Sequence, residues 1–425
     1  MEALLAPGAS ISDDELAELE DIVQEELPTY LEDLAALVNV DCGSYTKAGV
    51  DQVGRWTGRF LERLGAEVTY HLHPTFGDTV VGQIAGTAGG PRILLVGHLD
   101  TVFPEGTARE RPFRIADGRG RGPGVSDMKS GLLAGLYAIL ALRAMGSPLE
   151  DEGEDEDGES PPAALPFETL TFVANPDEEI GSPSSTPIIS ALALESDVCF
   201  VLECARANGD IVSSRKGTID LRMTIRGRAA HAGVEPEKGR SAILEAAHQV
   251  QRLHSLPSRW PGVTCNVGTI AGGTRPNVVA ETATLEIDAR GTTREHLEAV
   301  EAAIREIAAT PLVPDVTIRL EEVARHWPME KLDRTARLVA HAGTLANRLG
   351  FSVRDAATGG ASDANTTAGL GVPTLDGLGP IGGLDHSPEE YLEIDSIVPR
   401  TTLLAALLLS VARDPVVASW RPHRA

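Results

Sequence analysis

The sequence predicts an α/β protein in which helices cover both faces of a mixed, mostly parallel sheet and a smaller α+β domain is inserted. The runs RILLVGH, TLTFVAN and DVCFVLE are almost wholly apolar, which is typical of parallel strands buried on both faces. They alternate with long helical segments, as in doubly wound folds. Between residues 214 and 326 the strands instead alternate apolar and polar residues, as antiparallel strands with one exposed face do. At 425 residues the chain is long enough for two domains.

The larger domain begins with two predicted helices. Ser12 and Glu15 have the spacing of a capping box at the start of the first helix, and the second runs from Val50 to Leu64, before Gly65. Three strand-like runs follow, and then a largely apolar helix that begins near DMKSG. The segment 149–166 is acidic and rich in Pro and Gly, which predicts a solvated surface loop.

The inserted segment 214–326 predicts the element order βαββαβ. One helix is expected from Ser241 to His254, and Thr292 and Glu295 are expected to cap the other. Long helices and apolar strands return from residue 327. The predicted division is therefore a domain of residues 1–213 and 327–425 that is interrupted by the insert.

Composition excludes several classes of protein. A net charge of -25 argues against a nucleic-acid partner, because phosphates would be repelled. Four cysteines without a CxxC motif predict free thiols rather than disulfides or a structural zinc cluster. The N-terminus lacks a signal-peptide pattern, and the longest apolar run, residues 403–412, is too short to span a bilayer. We expect a cytoplasmic protein without a membrane partner.

Possible metal ligands follow three of the apolar strands. His98, the pair Glu178–Glu179 and Glu203 stand where open α/β sheets bind ligands. Asp127 leaves a glycine-rich turn, and His386 lies in GGLDHSPEEY. Each has an ordinary alternative, such as an N-cap for Asp127, but a buried acid after VCFVL needs a partner. Together they predict a site with nitrogen and oxygen ligands, as for zinc.

Five motifs together resemble the co-catalytic zinc aminoacyl hydrolases: GHLDTVFP, GVSDMKSG, NPDEEIGS, RAAHAG and DHSPEEYLE. This family contains glutamate carboxypeptidases, aminoacylases, acetylornithine deacetylases and succinyl-diaminopimelate desuccinylases. The motifs occur in the family's order, and the resemblance runs from about residue 37 to the C-terminus. The overall spacing of the motifs and the late segment TGGASDAN are most similar to the carboxypeptidase G type. The resemblance implies a zinc-peptidase-like catalytic domain and an inserted dimerisation or lid domain.

The resemblance also implies two zinc ions per subunit, with manganese or cobalt as alternatives. Asp127 would bridge the two metals. His98 and Glu203 would complete one site, and Glu179 and His386 would complete the other. The three carboxylates and a bridging hydroxide would balance the four positive charges of the two ions.

Further roles follow from the same resemblance. Glu178 would be the general base that takes a proton from a metal-bridging water. Asp100 would orient the His98 ring. His231 of the insert would stabilise the oxyanion in the active site of the neighbouring subunit, which would make a homodimer functionally necessary.

Three residues are implied in substrate binding. Arg290 would clamp a free carboxylate, Asn277 would bind other polar groups, and Gly360 could offer a backbone N–H to the same carboxylate. Arg290 could instead make only a strand-end salt bridge, and His231 could be an ordinary surface histidine.

The implied function is hydrolysis of an amide bond in a peptide or N-acyl amino acid with a free α-carboxylate, glutamate preferred. The alternatives are an N-acyl-amino-acid deacylase, a dipeptidase and a non-catalytic metal-binding homologue. GRGRGPG also suggests a dinucleotide-binding enzyme, but a GxG pattern alone is a weak signal and no strand precedes it directly. Elemental analysis for zinc, beside absorbance of bound nucleotide, separates these classes.

Overall fold

A computed structural model describes residues 6–145 and 165–420. The chain divides into two compact units. The larger unit comprises residues up to 213, 331–357 and those from 362 onward, and the smaller unit comprises 214–330 with 358–361. Of the predicted acidic loop 149–166, only the last two residues lie within the described part of the chain.

The first part of the larger unit holds two long helices and the beginning of its main sheet. The capping box is present, since the backbone N–H groups of Ser12 and Glu15 each donate to the other residue's side chain. The second helix begins three residues earlier than predicted, at Lys47. In chain order the elements of residues 6–215 are α1 (Asp13–Val38), α2 (Lys47–Arg63), β1 (Glu67–His71), β2 (Thr79–Ala85), β3 (Arg92–His98), α3 (Thr107–Glu110), β4 (Arg114–Ala116), β5 (Arg119–Arg121), α4 (Ser130–Ala144), β6 (Thr169–Asn175), α5 (Thr186–Leu194), β7 (Val198–Val201) and β8 (Ile211–Arg215).

The smaller unit has the predicted order βαββαβ. Its four strands form one antiparallel sheet. Counted among the six elements of the unit, the third lies at one edge, the fourth and then the first come next, and the sixth lies at the other edge. Alternate residues of its first strand, Ile219, Leu221, Met223 and Ile225, are buried in the core of this unit, as the alternating pattern predicts. The elements are β9 (Gly217–Arg226), α6 (Ala242–Leu253), β10 (Thr264–Gly272), β11 (Thr282–Gly291), α7 (Arg294–Ala309) and β12 (Thr317–His326).

The remaining part of the larger unit completes two sheets. The elements are α8 (Asp333–Arg348), β13 (Asp355–Thr358), α9 (Asp363–Gly369), β14 (Thr374–Leu375), β15 (Gly382–Gly383), β16 (Tyr391–Glu393), α10 (Ile397–Ala412) and α11 (Pro415–Ala418). The central sheet has the order β1-β2-β6-β3-β7-β14, with parallel pairing from β6 to β14 and antiparallel pairing at β1 and β2. The mixed, mostly parallel sheet is therefore confirmed. Strands β15, β16, β5 and β4, paired in that order, form a second, small antiparallel sheet.

Among the described residues of the larger unit, two segments are apolar and long enough to cross a bilayer by length and composition alone. They are Val125–Ala144 and Ile394–Ala412, and 89% and 83% of their most apolar windows lie buried inside the protein. Core helices pass the same criterion, so these segments are weak evidence for a membrane span.

Two predicted helix starts are wrong. The apolar helix begins at Ser130 rather than at Asp127, whose backbone torsions (φ -111°, ψ 92°) are not helical. The cap of α7 is Thr293, whose hydroxyl accepts the backbone N–H of His296. Thr292, which was expected to be the cap, instead contacts the Nδ1 atom of His296 through its hydroxyl at 3.1 Å.

Candidate metal centre

The predicted ligands of the larger unit converge at the carboxyl edge of the central sheet. β3 ends at His98, β6 ends just before the turn that carries Glu178 and Glu179, and β7 ends two residues before Glu203. Because β6, β3 and β7 are parallel neighbours, their carboxyl ends lie at one edge. The apolar strands thus position four of the candidate groups.

Asp127 is held by a buried acid from a distant part of the chain. The Glu390 carboxylate accepts the backbone N–H groups of Gly124, Ser126 and Asp127 at 3.0, 2.8 and 3.0 Å. Burial raises the pKa of Glu390 to about 7, against the effect of these donors. Pairing of β5 with β16 brings the two segments together. The backbone of the Asp127 segment is therefore fixed before any ligand binds.

The Asp127 carboxylate faces two imidazoles with two different oxygens. Its Oδ1 lies 3.0 Å from Nε2 of His98, and its Oδ2 lies 3.0 Å from Nε2 of His386. The same His386 nitrogen is 3.1 Å from Glu179 Oε2, and the His98 nitrogen is 3.7 Å from Glu203 Oε1. This is the arrangement expected of a carboxylate that bridges two cations.

The donor atoms fit divalent cations in type and spacing. The two imidazoles and the carboxylates of Asp127, Glu179 and Glu203 suit zinc, and also manganese or cobalt. In a tetrahedral site with metal–ligand distances near 2.0–2.1 Å, neighbouring donors are about 3.3 Å apart, and the contacts of 3.0–3.7 Å bracket that distance. Ligand atoms of His98, Glu178 and Glu203 lie within 4.8 Å of one another, as do those of His98, Asp127 and Glu179.

The pKa shifts report a concentration of negative charge. Hydrogen bonds to Asp127 and Glu179 raise the pKa of His386 to about 11. Burial lowers the pKa of His98, but the Asp100 and Asp127 carboxylates outweigh burial and raise it well above its ordinary value. Burial raises the pKa of Glu178 and of Glu179. Such a cluster holds protons unless a cation takes their place, and metal ligation requires the deprotonated forms.

Asp100 supports this cluster from behind His98. Nδ1 of His98 lies 3.0 Å from the carbonyl oxygen of Asp100 and 3.4 Å from its carboxylate. A proton on Nδ1 leaves the Nε2 lone pair directed at the cluster. The buried carboxylate also accepts the Ser44 hydroxyl at 2.6 Å and the backbone N–H groups of Glu178 and Glu179 at 3.1 and 3.2 Å.

Three supporting residues were not identified from the sequence. They are Ser44, Glu390 and Asp363, and Asp363 accepts side-chain hydrogen bonds from Asn175 and Ser182. Glu390 and Asp363 lie within DHSPEEYLE and TGGASDAN, so the motifs carried a signal for them. Ser44 lies in no such motif, and its role depends on tertiary contacts.

In the smaller unit the structure brings His231 and Asn277 together. His231 forms an isolated antiparallel bridge with Val278, and the backbone N–H of Ala232 donates to the Asn277 carbonyl at 3.0 Å. The side chains of His231 and Asn277 are both exposed. They are therefore available to a ligand.

Arg290 and Gly360 also lie in the smaller unit, in one hydrogen-bonded group. Asp288 accepts from Nε and a terminal nitrogen of Arg290 at 3.0 and 2.9 Å, and the Gly359 carbonyl accepts from the other terminal nitrogen at 2.7 Å. Arg215 donates to the Gly360 carbonyl at 3.0 Å. Since the two ends of a trans peptide point in opposite directions, the N–H of Gly360 points away from Arg290.

Two family models match the chain. Peptidase family M20/M25/M40 matches residues 94–151, and the peptidase dimerisation domain matches residues 213–316. The first covers the His98 and Asp127 motifs, and the second covers most of the smaller unit.

Curated relatives match nearly the whole chain. Carboxypeptidase G2 of Pseudomonas sp. (strain RS-16) is 29% identical over 394 residues, which cover 91% of this chain and 89% of the relative. Acetylornithine deacetylase of Edwardsiella ictaluri is 26% identical over 408 residues, which cover 90% and 98% of the two chains.

Solved structures share the fold. Aminopeptidase PepT from Bacillus cereus superposes with a TM-score of 0.74 at 24% identity, covering 91% of this chain and 99% of its own. The metallo-carboxypeptidase Sso-CP2 from Sulfolobus solfataricus gives a TM-score of 0.68 at 15% identity, covering 90% and 99%. The predicted fold class is confirmed.

Proposed function

Because the chain belongs to the M20 peptidase family, we propose that it hydrolyses the amide bond of a peptide or N-acyl amino acid with a free α-carboxylate, with glutamate preferred. The family consists of peptidase- and aminoacylase-type hydrolases, and its members are metal-dependent. The observation that carries the proposal is the Asp127 carboxylate, which faces His98 and His386 with separate oxygens at 3.0 Å.

We assign two cations to this centre. Asp127 is shared by both, His98 and Glu203 complete one site, and Glu179 and His386 complete the other. Zinc is the proposed metal, with manganese or cobalt as alternatives. When bound, such ions polarise an amide carbonyl and increase the acidity of water.

Glu178 is the proposed general base. Its neighbour Glu179 contacts His386 at 3.1 Å, while its own backbone N–H is held by Asp100. Glu178 therefore lies at the centre without a contact to His386 among the described residues. We assign it the removal of a proton from the attacking water and the delivery of that proton to the leaving amine.

The smaller unit supplies the proposed substrate contacts. Arg290 binds the free carboxylate, with Asn277 and Gly360 as further contacts. His231 of the partner subunit stabilises the developing oxyanion, so the enzyme acts as a homodimer. The match to a peptidase dimerisation domain supports the dimer. The cytoplasmic location stays a prediction.

A deacylase or dipeptidase is the second candidate. It is favoured by the similarity to acetylornithine deacetylase. In the larger unit a groove lined by Tyr45, Val102, Phe103 and Ile180 adjoins Glu179, and Tyr45 is 76% exposed. Thr46, Thr101 and Glu105 also line this groove, and its volume of about 470 Å³ is large enough for more than an acetyl group, which supports a bulkier acyl or peptidyl part.

The test is amine release from N-acetyl, N-benzoyl and peptidyl forms of glutamate, leucine and lysine, with added metal and with chelator. We expect the chelator to abolish cleavage, and we expect the glutamate substrates to be cleaved fastest whichever acyl group they carry. Cleavage that follows the acyl group identifies a deacylase. No cleavage of any substrate by zinc-loaded protein contradicts the proposed function.

Glu178→Gln tests the mechanism in the same assay. It should lower kcat by about 10²–10⁴-fold, the usual contribution of a positioned base, and leave the metal content unchanged. Glu306→Gln is the matched control, because Glu306 is exposed on α7. A fully active Glu178→Gln protein would show that another group is the base.

A further inference from the structure

The turn that carries Glu178 and Glu179 is fastened at both ends by one buried carboxylate. Asp363 Oδ2 accepts Nδ2 of Asn175 at 2.6 Å, and Asp363 Oδ1 accepts the Ser182 hydroxyl at 2.7 Å. Asn175 is the last residue of β6, and Ser182 directly follows the turn. A third bond, from Asn175 Nδ2 to the Ser182 hydroxyl at 2.9 Å, closes the triangle.

The triangle is shielded from water. Asn175, Ser182 and Asp363 are 0%, 2% and 3% exposed. Buried hydrogen bonds to an ionised group are stronger than exposed ones, and a lost partner leaves an unsatisfied polar atom that costs about 1–3 kcal/mol. The three side chains therefore define the separation of the two ends of the turn.

Asp363 itself is rigidly placed. It is the first residue of α9, whose cap Ser362 forms a capping box with Asn365. The Ser362 hydroxyl also donates to the buried Asp376 carboxylate at 2.7 Å. The carboxylate of Asp363 thus reaches the turn from an element that is fixed independently of the turn.

The turn needs this support because the residue that follows it is strained. Ser182 has a φ of +55°, in the left-handed region that costs a residue other than glycine about 1 kcal/mol. On the opposite side, Asp100 holds the backbone N–H groups of Glu178 and Glu179. Two buried carboxylates therefore hold the turn, one by its middle and one by its ends.

We propose that Asp363 is a positioning residue of the reaction, which holds Glu178 and Glu179 at the metal centre without touching substrate or metal. The inference rests on the proposed function, since it takes Glu178 as the base. A displacement of about 1 Å at a reacting group can cost about 10²-fold in rate.

The test is Asp363→Asn, whose amide nitrogen either meets the Asn175 donor or takes the place of the oxygen that accepts the Ser182 hydroxyl. At saturating zinc we expect kcat to fall by about 10–100-fold with KM within about twofold. Hydrogen exchange of the 176–182 backbone should become about tenfold faster, because the loss of a hydrogen bond to residue 363 lets the turn open more often. The exchange measurement does not need an active or metal-loaded enzyme.

Exchanging the two groups provides a rescue. Asn175→Asp combined with Asp363→Asn restores a donor opposite an acceptor, so both kcat and exchange protection should return most of the way. Asp355→Asn is the matched control, because Asp355 also accepts a serine hydroxyl, that of Ser213 at 2.5 Å, outside the candidate centre. It should leave both readouts unchanged.

The outcomes are distinguishable. A wild type without metal-dependent amide hydrolysis contradicts the proposed function, and the exchange measurement still decides the role of Asp363. Unchanged exchange in folded Asp363→Asn, or a double variant no better than the single one, overturns the inference. If Asp363→Asn does not fold, Ser182→Gly decides in the same way, because glycine tolerates the positive φ and removes one bond to Asp363.

Discussion

Replacing Asp100 by Asn is predicted to weaken metal binding without touching a ligand. The carboxylate is fully buried, and its Oδ2 accepts Ser44 and the Glu179 N–H while its Oδ1 accepts the Glu178 N–H and faces His98 Nδ1. Whichever oxygen becomes NH2, one backbone N–H then meets a donor, since each oxygen accepts one of the two N–H groups. At about 1–3 kcal/mol for a buried unsatisfied group, the local cost is about 1–3 kcal/mol.

Part of that cost should appear in the metal affinity. Loss of a partner behind a ligating histidine typically costs about 10–100-fold, or about 1.4–2.7 kcal/mol. Competition with a chelator of known zinc affinity measures the change in Kd. Ser44→Ala removes only one of the bonds and should give a smaller effect, and Asp355→Asn should give none. An unchanged Kd in folded Asp100→Asn protein would refute the orienting role.

Three further predictions concern the partner subunit, the core and pH. His231→Ala and Arg290→Ala should each abolish activity. A mixture of the two variants should recover up to about a quarter of wild-type activity, since half of the dimers are mixed and one of the two sites in each mixed dimer is intact. No recovery would argue against a shared site. Arg400→Met should destabilise the fold, measured by urea unfolding, by about 1–3 kcal/mol for each buried carbonyl that loses its donor, because this buried guanidinium donates to the carbonyls of three glycines. Burial lowers the pKa of His341, so its stabilising effect is full above the unfolded pKa of about 6.5 and is lost as pH falls below it. Between pH 7.5 and 5.5, wild type should therefore lose more stability than His341→Asn in thermal unfolding, by up to about 1.4 kcal/mol, and equal losses would contradict this prediction.

The convergence of the candidate ligands at one edge of the sheet was the most predictable part of the candidate site, because strand ends are a property of local sequence. Apolar runs that end in His98 or Glu203 predict parallel strands, and parallel strands bring their carboxyl ends to one edge. The strands of the insert were equally predictable, because burial of one face of a sheet makes apolar and polar residues alternate along each strand.

The supporting residues could not be predicted in the same way. Glu390 binds the Asp127 backbone across 263 residues, and Asp363 binds Asn175 across 188 residues. Both are acids in polar segments, where a surface position is the ordinary expectation. The start of α4 was misplaced for a related reason, because the backbone at Asp127 follows Glu390 rather than helix propensity.

The orientation of a peptide group likewise cannot be predicted from the sequence. The orientation of the peptide between Gly359 and Gly360 affects the proposed contacts with the substrate. Arg290 has five N–H donors, of which three bind Asp288 and the Gly359 carbonyl in the described part of the chain. One N–H on each terminal nitrogen is left, which is the number that a bidentate carboxylate needs. Arg290 therefore keeps its capacity to bind a substrate carboxylate. The N–H of Gly360 points away from it, so the two groups can share one carboxylate only if the peptide between Gly359 and Gly360 turns over.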